Sequence, residues 1–497
     1  MSIGRDVIGK LAEGTLDVLV VGGGIVGSGV ARDAAMRGLR TGIIDQYDFA
    51  FGTSSRSSRL LHGGLRYLAQ GRVGLVHEAS VEKVIIHKIA PHLAAPLPFI
   101  FPTRRGTEWK RWKLSIGVKI YDLLCHGRNL GKSTSMGKEA TLRMLPGLNA
   151  ENLTGAVRYY DGLTNDARLV LDTLRSAAAN GAMCANYVAM ISSKREADGL
   201  WACVLEDRVT GRQVSVRTKV VVNATGAWAD KFPASKVKLR LTKGVHLVIE
   251  RTRLAVPDAV VMAEGSRILF AIPWGDRVIL GTTDTDYDGP TERPGVDQKD
   301  VDYILKVTND TFPSAKLGQG DVISAWSGLR PLIADPNGKP SDISRAHQIL
   351  MPEAGWIDVA GGKLTTYRLM AEQTVDMAVK HGGMKEKKCE TATTPLLPDE
   401  DGPKYSSITP PLVTMEAVGH FVKNEWCFHL DDLMIRRTSW RYYHRDHLKI
   451  ARDVAREMGR LLGWSEKELA DEMARYQGAL SYPAEEGKVS RQVAMAV

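Results

Sequence analysis

The first clear pattern begins at Leu16. LDVLVVGGGIVGSGVARDAAMRGLRTGIIDQYDF opens on a short apolar run, turns through glycines, continues as an amphipathic stretch of small residues, and returns to an apolar run ending at Asp45. That order predicts a strand, a helix and a parallel strand. Two later apolar runs end in similar turns. KVVVNATGAWAD (219–230) reads as a buried strand entering Ala224-Thr225-Gly226, and IDVAGGKLTTYRL (357–369) reads as a strand, a Gly-Gly turn and a helix start. Between them, GVHLVIE (244–250), RILFAIP (267–273) and RVILGTT (277–283) alternate as strands of a mixed sheet do. Pro395, Pro398, Pro403 and Pro410 mark a strand-poor link, and helical spacing follows from 412 to 476. No internal repeat or low-complexity tract is present. One domain is thus expected to be assembled from separated pieces, with a second sheet threaded between them.

Composition narrows the class. With 497 residues, 44% hydrophobic and 25% charged, the chain has ordinary globular composition and enough length for a large core, which excludes disorder, collagen and coiled coil. Its 66 Lys+Arg against 57 Asp+Glu give a net charge of +9, which favours an anionic partner without choosing among a phosphorylated metabolite, nucleic acid and an acidic membrane face. Five scattered cysteines with no C-x-x-C pair fit neither a disulfide framework nor a zinc site, so a reducing compartment and no metal are expected. MSIGRDVIGKLAEG lacks the apolar core of a secretory signal, and no run of about 20 apolar residues occurs. A cytoplasmic chain without a membrane-spanning helix is the expectation.

The glycine turn carries chemistry. In Gly22-x-Gly24-x-x-Gly27 the first glycine allows a tight turn, the second lets a pyrophosphate approach the backbone, and the third lets helix and strand pack closely. The helix N-terminus then faces the phosphates. Asp45 lies at the end of the second strand, where an acid accepts hydrogen bonds from the ribose hydroxyls of an adenosine. Strand, helix and terminal acid together predict a dinucleotide site.

The run Thr53 to Leu68, TSSRSSRLLHGGLRYL, together with the unit ahead of it, resembles the FAD-dependent glycerol-3-phosphate dehydrogenases. The resemblance continues through KGVHLVIE (243–250), FAIPWGDRVILGTTDTDYDGP (270–290), SGLRPL (327–332), DISRAHQI (342–349) and GGKLTTYR (361–368), covering roughly 16 to 370; DLMIRRT (432–438) is a weaker local match. It implies an α/β fold in which a Rossmann-like FAD-binding domain (1–75, 150–235 and 350–390) is interleaved with a mixed-sheet substrate domain (76–149 and 236–349), followed by a C-terminal helical cap (391–497). The implied reaction oxidises sn-glycerol 3-phosphate to dihydroxyacetone phosphate by hydride transfer to flavin N5, with electrons passed to a membrane quinone. A soluble oxidase that gives hydrogen peroxide is the alternative. Peripheral attachment to an anionic surface, the cytoplasmic face of the inner membrane, follows from the same likeness, which also admits a homodimer. A nucleic-acid partner is not expected, since no RNA-binding module or aromatic stacking surface is visible.

Individual residues follow from the motifs. Planar guanidinium suits a phosphate dianion, so Arg66 and Arg345 are assigned chiefly to phosphate and Arg330 to the reacting oxygen. Lys363, on the Gly-Gly turn, is placed to contact substrate or polarise its oxygen. His246 is the candidate base near neutral pH; its side chain points opposite to Val245 and Leu247, and a satisfied core histidine is the competing reading. Tyr67 and Thr283 are further pocket candidates. Gly22, Gly24, Gly27, Asp45, Gly226, Gly362, Leu364 and Thr365 are assigned to the cofactor. His62 and the hydroxyls of Thr53, Ser54, Ser55 and Ser58 join them, with helix capping as the other explanation for the hydroxyls. Arg59 stands where the family often has Lys, and no role is carried onto it. Two basic stretches remain, RRGTEWKRWKLSIGVKIY (104–121) with Trp109 and Trp112, and 436–460; either suits an anionic membrane face or is simply a solvated charge run.

Overall fold

The structure is a computed structural model describing residues 5–68, 71–125, 129–265, 267–334, 347–385, 387–398 and 403–478, without the side chains of Arg66 and Tyr67. Among the described residues the strands form two sheets. The first runs in the order Gln348–Glu353, Trp356–Ala360, Gln213–Asn223, Thr15–Val21, Thr41–Ile44, Met183–Ala185, and all its pairs from Trp356–Ala360 to Met183–Ala185 are parallel. Val18, Val20, Val220 and Val222 are fully buried in this parallel core, as the unbroken apolar runs require. The helix Ile25–Met36 covers one face, packed against Asp166–Ala179 and Tyr367–Gly382. Gly27 permits that contact, because a Cβ there would lie 1.9 Å from the carbonyl oxygen of Gly22.

The second sheet is mixed and contains Leu239–Glu250, Arg267–Trp274 and Arg277–Gly281, the three segments whose alternation predicts strands. It also takes in Leu60–Leu61 and Leu153–Thr164. These two strands fall inside stretches assigned from sequence to the cofactor domain, so the chain crosses between sheets more often than its motif spacing indicates. Leu239–Glu250 pairs with Arg277–Gly281 on one side and Val322–Ile333 on the other.

The C-terminal helices Met415–Asn424, His447–Leu462 and Glu466–Gly478 enclose a core of their own. The DLMIRRT segment is a π-helix, Asp432–Arg437, and its arginines do not form a solvated basic face. Arg436, Arg437 and Arg441 are buried. Arg437 donates to Asp48 Oδ1 at 2.9 Å and Arg436 pairs with Asp48, Asp431 and Asp432, so the segment clamps the helical region onto the loop that follows Asp45. Replacing Arg437 with Met removes one cation from a buried carboxylate and is expected to cost about 3 kcal/mol, read as a lower urea midpoint.

Candidate active site

The four central parallel strands deliver their C-terminal ends to one groove, the usual ligand crevice of such sheets. The groove is about 440 Å³ and is lined by Gly22, Gly24, Asp45, Ser54, Ala224, Thr225, Gly226, Gly361 and Gly362, the turns that leave those strands. Gly22 has φ +106°, and a Cβ on it would lie 2.6 Å from Ala224 O. Ser54 Oγ accepts the N–H of Ile25 at 3.0 Å, so it caps the first turn of the glycine-rich helix while lining the groove. Asp45 accepts from the N–H groups of Gly23 at 2.7 Å and Tyr47 at 2.9 Å. Burial outweighs those two hydrogen bonds and pushes its carboxyl up to about 7.

A larger cavity of about 1040 Å³ adjoins the groove. Among the described residues Thr53, Pro331 and Gly361 to Leu364 line both. One wall of the cavity comes from the second sheet. His246 is the register partner of both Gly281 and Trp326, and Thr242 is that of Arg330, so even-numbered positions of Leu239–Glu250 and Val322–Ile333 share the cavity face. Gly244 and Gly328 face each other there, and a Cβ on Gly244 would lie 2.4 Å from Arg330 Nη2. Val245 and Leu247 point the other way into an apolar core.

His246 is 2% exposed; its Nε2 hydrogen-bonds Ser58 Oγ at 2.7 Å, its ring stacks on Trp326 at 5.2 Å, and its Nδ1 has no hydrogen-bond partner. Burial, then the positive charges of Arg330 and Arg59, hold it down to about 3, so it is neutral at physiological pH and does not titrate near neutrality as the sequence reading expected of a base. Arg330 donates to Asp284 at 3.0 Å, Thr282 Oγ1 at 3.0 Å and Thr283 O at 3.2 Å. Thr283 Oγ1 accepts the N–H of Val245 at 3.0 Å and Lys363 caps the short helix Leu364–Thr366.

The remaining sequence assignments separate. Ser58 and His62 line the larger cavity only. Thr53 lines both spaces and donates to Leu329 O at 2.6 Å. Gly27, Ser55 and Thr365 line neither: Gly27 packs the helix on its strand, Ser55 is buried with its Oγ unpartnered, and the Thr365 hydroxyl accepts from His62 N–H and donates to His62 O. Arg345 and the side chains of Arg66 and Tyr67 lie outside the described residues. Arg56, Asp284 and Trp326 were not singled out by sequence; Arg56 joins Arg330 as a cation lining the cavity, a signal present only in the TSSRSSR run taken as a whole motif.

The lining also holds a large apolar set, interspersed in the chain with Glu108, Lys110, Lys113 and Arg267. Phe99, Phe101, Trp109, Leu114, Val261, Ile268 and Phe270 belong to it, and it reaches the helix Arg111–Leu124 through Ile116 and Ile120. That helix buries Leu114, Val118 and Tyr121 and exposes Trp112 (61%), Ile116 (54%), Ile120 (42%) and Leu123 (73%) along one stripe. Arg105, Lys110, Arg111, Lys113 and Lys119 are exposed around it.

Residues 17–368 match the family of FAD dependent oxidoreductases (DAO). The chain is 35% identical to glycerol-3-phosphate dehydrogenase 2 of Mycobacterium tuberculosis over 97% of its own length and 91% of the relative's. The chain belongs to the FAD-dependent glycerol-3-phosphate dehydrogenase family. Aerobic glycerol-3-phosphate dehydrogenase of Staphylococcus epidermidis is 37% identical over 78% of this chain and 72% of its own length. The solved glycerol-3-phosphate dehydrogenase of Bacillus halodurans, complexed with FAD, superposes with a TM-score of 0.79 at 28% identity, covering 98% of this chain and 100% of that one. FAD is the cofactor of the family, and the groove fits it. An acid at one end, glycine turns and a helix N-terminus in the middle, and a junction into a wider cavity suit an extended dinucleotide.

Asp45 gives that fit a pH signature. Ribose hydroxyls donating to its carboxylate, as the sequence pattern implies, would favour the charged form, and its pKa would then fall when FAD binds. Between the lowered value and about 7, binding expels a proton and affinity strengthens with pH, by up to about tenfold per unit; above about 7 the carboxylate is charged in both states and affinity levels off. Fluorescence titration of apoprotein with FAD checks this, and Asp45→Asn is expected to weaken binding and flatten the profile.

Proposed function

We propose that this protein oxidises sn-glycerol 3-phosphate to dihydroxyacetone phosphate and passes the electrons to a quinone in an anionic membrane. The observation that carries the reading is one cavity lined by both a polar and an apolar set of side chains and sharing the Gly361–Leu364 turn with the cofactor groove. The polar set suits a small phosphorylated alcohol, the substrate named for the relatives. The apolar set has no use for such a substrate and suits a flat lipophilic acceptor.

FAD, when bound, supplies the two-electron acceptor. Gly22, Gly24, Gly226 and Gly362 are its backbone contacts, and Asp45 holds its ribose. Arg330, fixed by Asp284 and Thr282, orients the substrate oxygen, and Arg56 and Lys363 add positive charge for the phosphate. Neutral His246, held through Nε2 by Ser58 Oγ, is the group on the second-sheet wall assigned to take the hydroxyl proton as the carbonyl forms, a weak base because burial holds it down to about 3. The stripe Trp112, Ile116, Ile120 and Leu123 enters the membrane interface while the lysines and arginines around it meet anionic headgroups. The protein is then peripheral, with the apolar set open toward the bilayer.

Anaerobic stopped-flow measurement of the flavin absorbance tests this. Bleaching on addition of sn-glycerol 3-phosphate, reversed quickly by a soluble quinone and slowly by air, is the expected result. Fast reoxidation by air would make the protein an oxidase, and no bleaching would overturn the substrate.

A further inference from the structure

The loop that follows Asp45 shapes the glycine turn of the cofactor groove, and the C-terminal helical region shapes that loop. Gly23 meets the loop on three sides. Its N–H donates to Asp45 Oδ2 at 2.7 Å, its carbonyl accepts from Ala50 N–H at 3.0 Å, and its Cα lies against the Phe49 ring, where a Cβ would come within 2.3 Å of Cδ1. Ala50 has φ +61°, a left-handed conformation that a non-glycine residue keeps only where its surroundings over-determine it.

Asp48 supplies the hold on the loop. Its carboxylate is fully buried and accepts from Asn186 Nδ2 at 2.8 Å, from Arg437 Nη2 at 2.9 Å, and from Arg437 Nη1 and Arg436 Nε. The guanidinium donors come from the π-helix Asp432–Arg437, and Asn186 also donates to Trp426 O at 2.9 Å. The Trp426 ring meets Phe49 edge-on with ring centres 5.4 Å apart, and it packs on the core of the first sheet instead of the helical core. Without Arg436 and Arg437 the Asp48 carboxylate would be a buried, uncompensated charge. The loop therefore keeps this shape only while the helical region is docked on it.

Asp45, Gln46, Tyr47 and Phe51 line the groove, whereas Asp48, Phe49 and Ala50 stand behind it and act through Gly23. A site built largely of backbone groups binds tightly when those groups are already in position, because ordering them on binding would subtract from affinity. We propose that Asp48 is a positioning residue for FAD, through which the C-terminal helical region sets the affinity of the protein for its cofactor. Trp426 serves the same end by backing Phe49 against Gly23.

The test follows free-flavin fluorescence as holoenzyme is diluted, which reads FAD affinity and release, beside the urea midpoint of each protein. Asp48→Asn keeps the shape of the side chain and loses its charge; FAD affinity is expected to fall by about tenfold or more. Trp426→Leu leaves the ion pairs in place and removes the ring against Phe49, and FAD binding about 3- to 10-fold weaker is expected. Trp426→Phe restores a ring and is expected to recover most of that loss. Met458→Ala opens a cavity inside the helical core, away from the loop, and is expected to lower the urea midpoint with FAD affinity unchanged. That contrast separates positioning from general weakening of the fold. Wild-type FAD affinity in either Asp48→Asn or Trp426→Leu, or a loss in Met458→Ala as large as in Trp426→Leu, overturns the proposal. Should Asp48→Asn fail to fold, the Trp426 variants decide.

Discussion

Flavin reduction by sn-glycerol 3-phosphate is expected to slow by about 10²–10⁴-fold when His246 is replaced by Gln. Gln fits the same strand position and can still hydrogen-bond Ser58, but it cannot accept a proton. FAD should remain bound, because His246 lines the larger cavity and not the dinucleotide groove. The comparison that matters is therefore a normal flavin spectrum with slow bleaching, together with loss of the acid limb of the rate. An unchanged rate would move the base to another group on the same wall.

The second large effect concerns the exposed stripe. Replacing Trp112, Ile116, Ile120 and Leu123 together with Ser should weaken binding to vesicles containing anionic lipid by more than about 10³-fold, since each side chain contributes about 1 kcal/mol when moved into the interface. The helix itself should persist, because Leu114, Val118 and Tyr121 hold its inner face and Tyr121 Oη accepts the N–H of Gly63 at 2.7 Å. Reduction of a water-soluble acceptor should survive while reduction of a vesicle-borne quinone is lost. Wild-type binding that weakens with added salt would identify the surrounding lysines and arginines as the electrostatic part. Vesicle binding retained by the four-residue variant would send the membrane face elsewhere.

Much of this architecture is legible in the sequence because the responsible patterns are local. A βαβ unit with its glycines and terminal acid occupies one continuous segment, and the structure puts Gly22, Gly24 and Asp45 on one groove. The direction of the His246 side chain follows from strand alternation alone. What was not legible depends on pairing between distant segments. Nothing near Arg59 announces that it packs on Trp274 and Trp326 and donates to Ser439, which come from three other parts of the chain. The basic look of 436–460 pointed toward solvent, and Arg445, Lys449, Arg452, Arg456 and Arg460 are exposed, yet Arg436 and Arg437 are buried because Asp48, nearly 390 residues earlier, neutralises them. Ser58 sat in a hydroxyl run that reads as cofactor contact or cap; only the register of the second sheet brings His246 to it. Periodicity also separates the two basic stretches poorly, since the decisive difference is the four apolar residues left uncovered on Arg111–Leu124.

The cofactor groove and the reaction cavity meet only at Thr53, Pro331 and Gly361 to Leu364 among the described residues. Such a narrow seam makes the two halves separable targets for engineering. The face carried by Gly244, His246, Gly328 and Arg330 could be redrawn for a different alcohol without rebuilding the turns that hold the dinucleotide. Changes at the seam itself would be felt on both sides, so a library aimed at new substrates should leave those six positions alone.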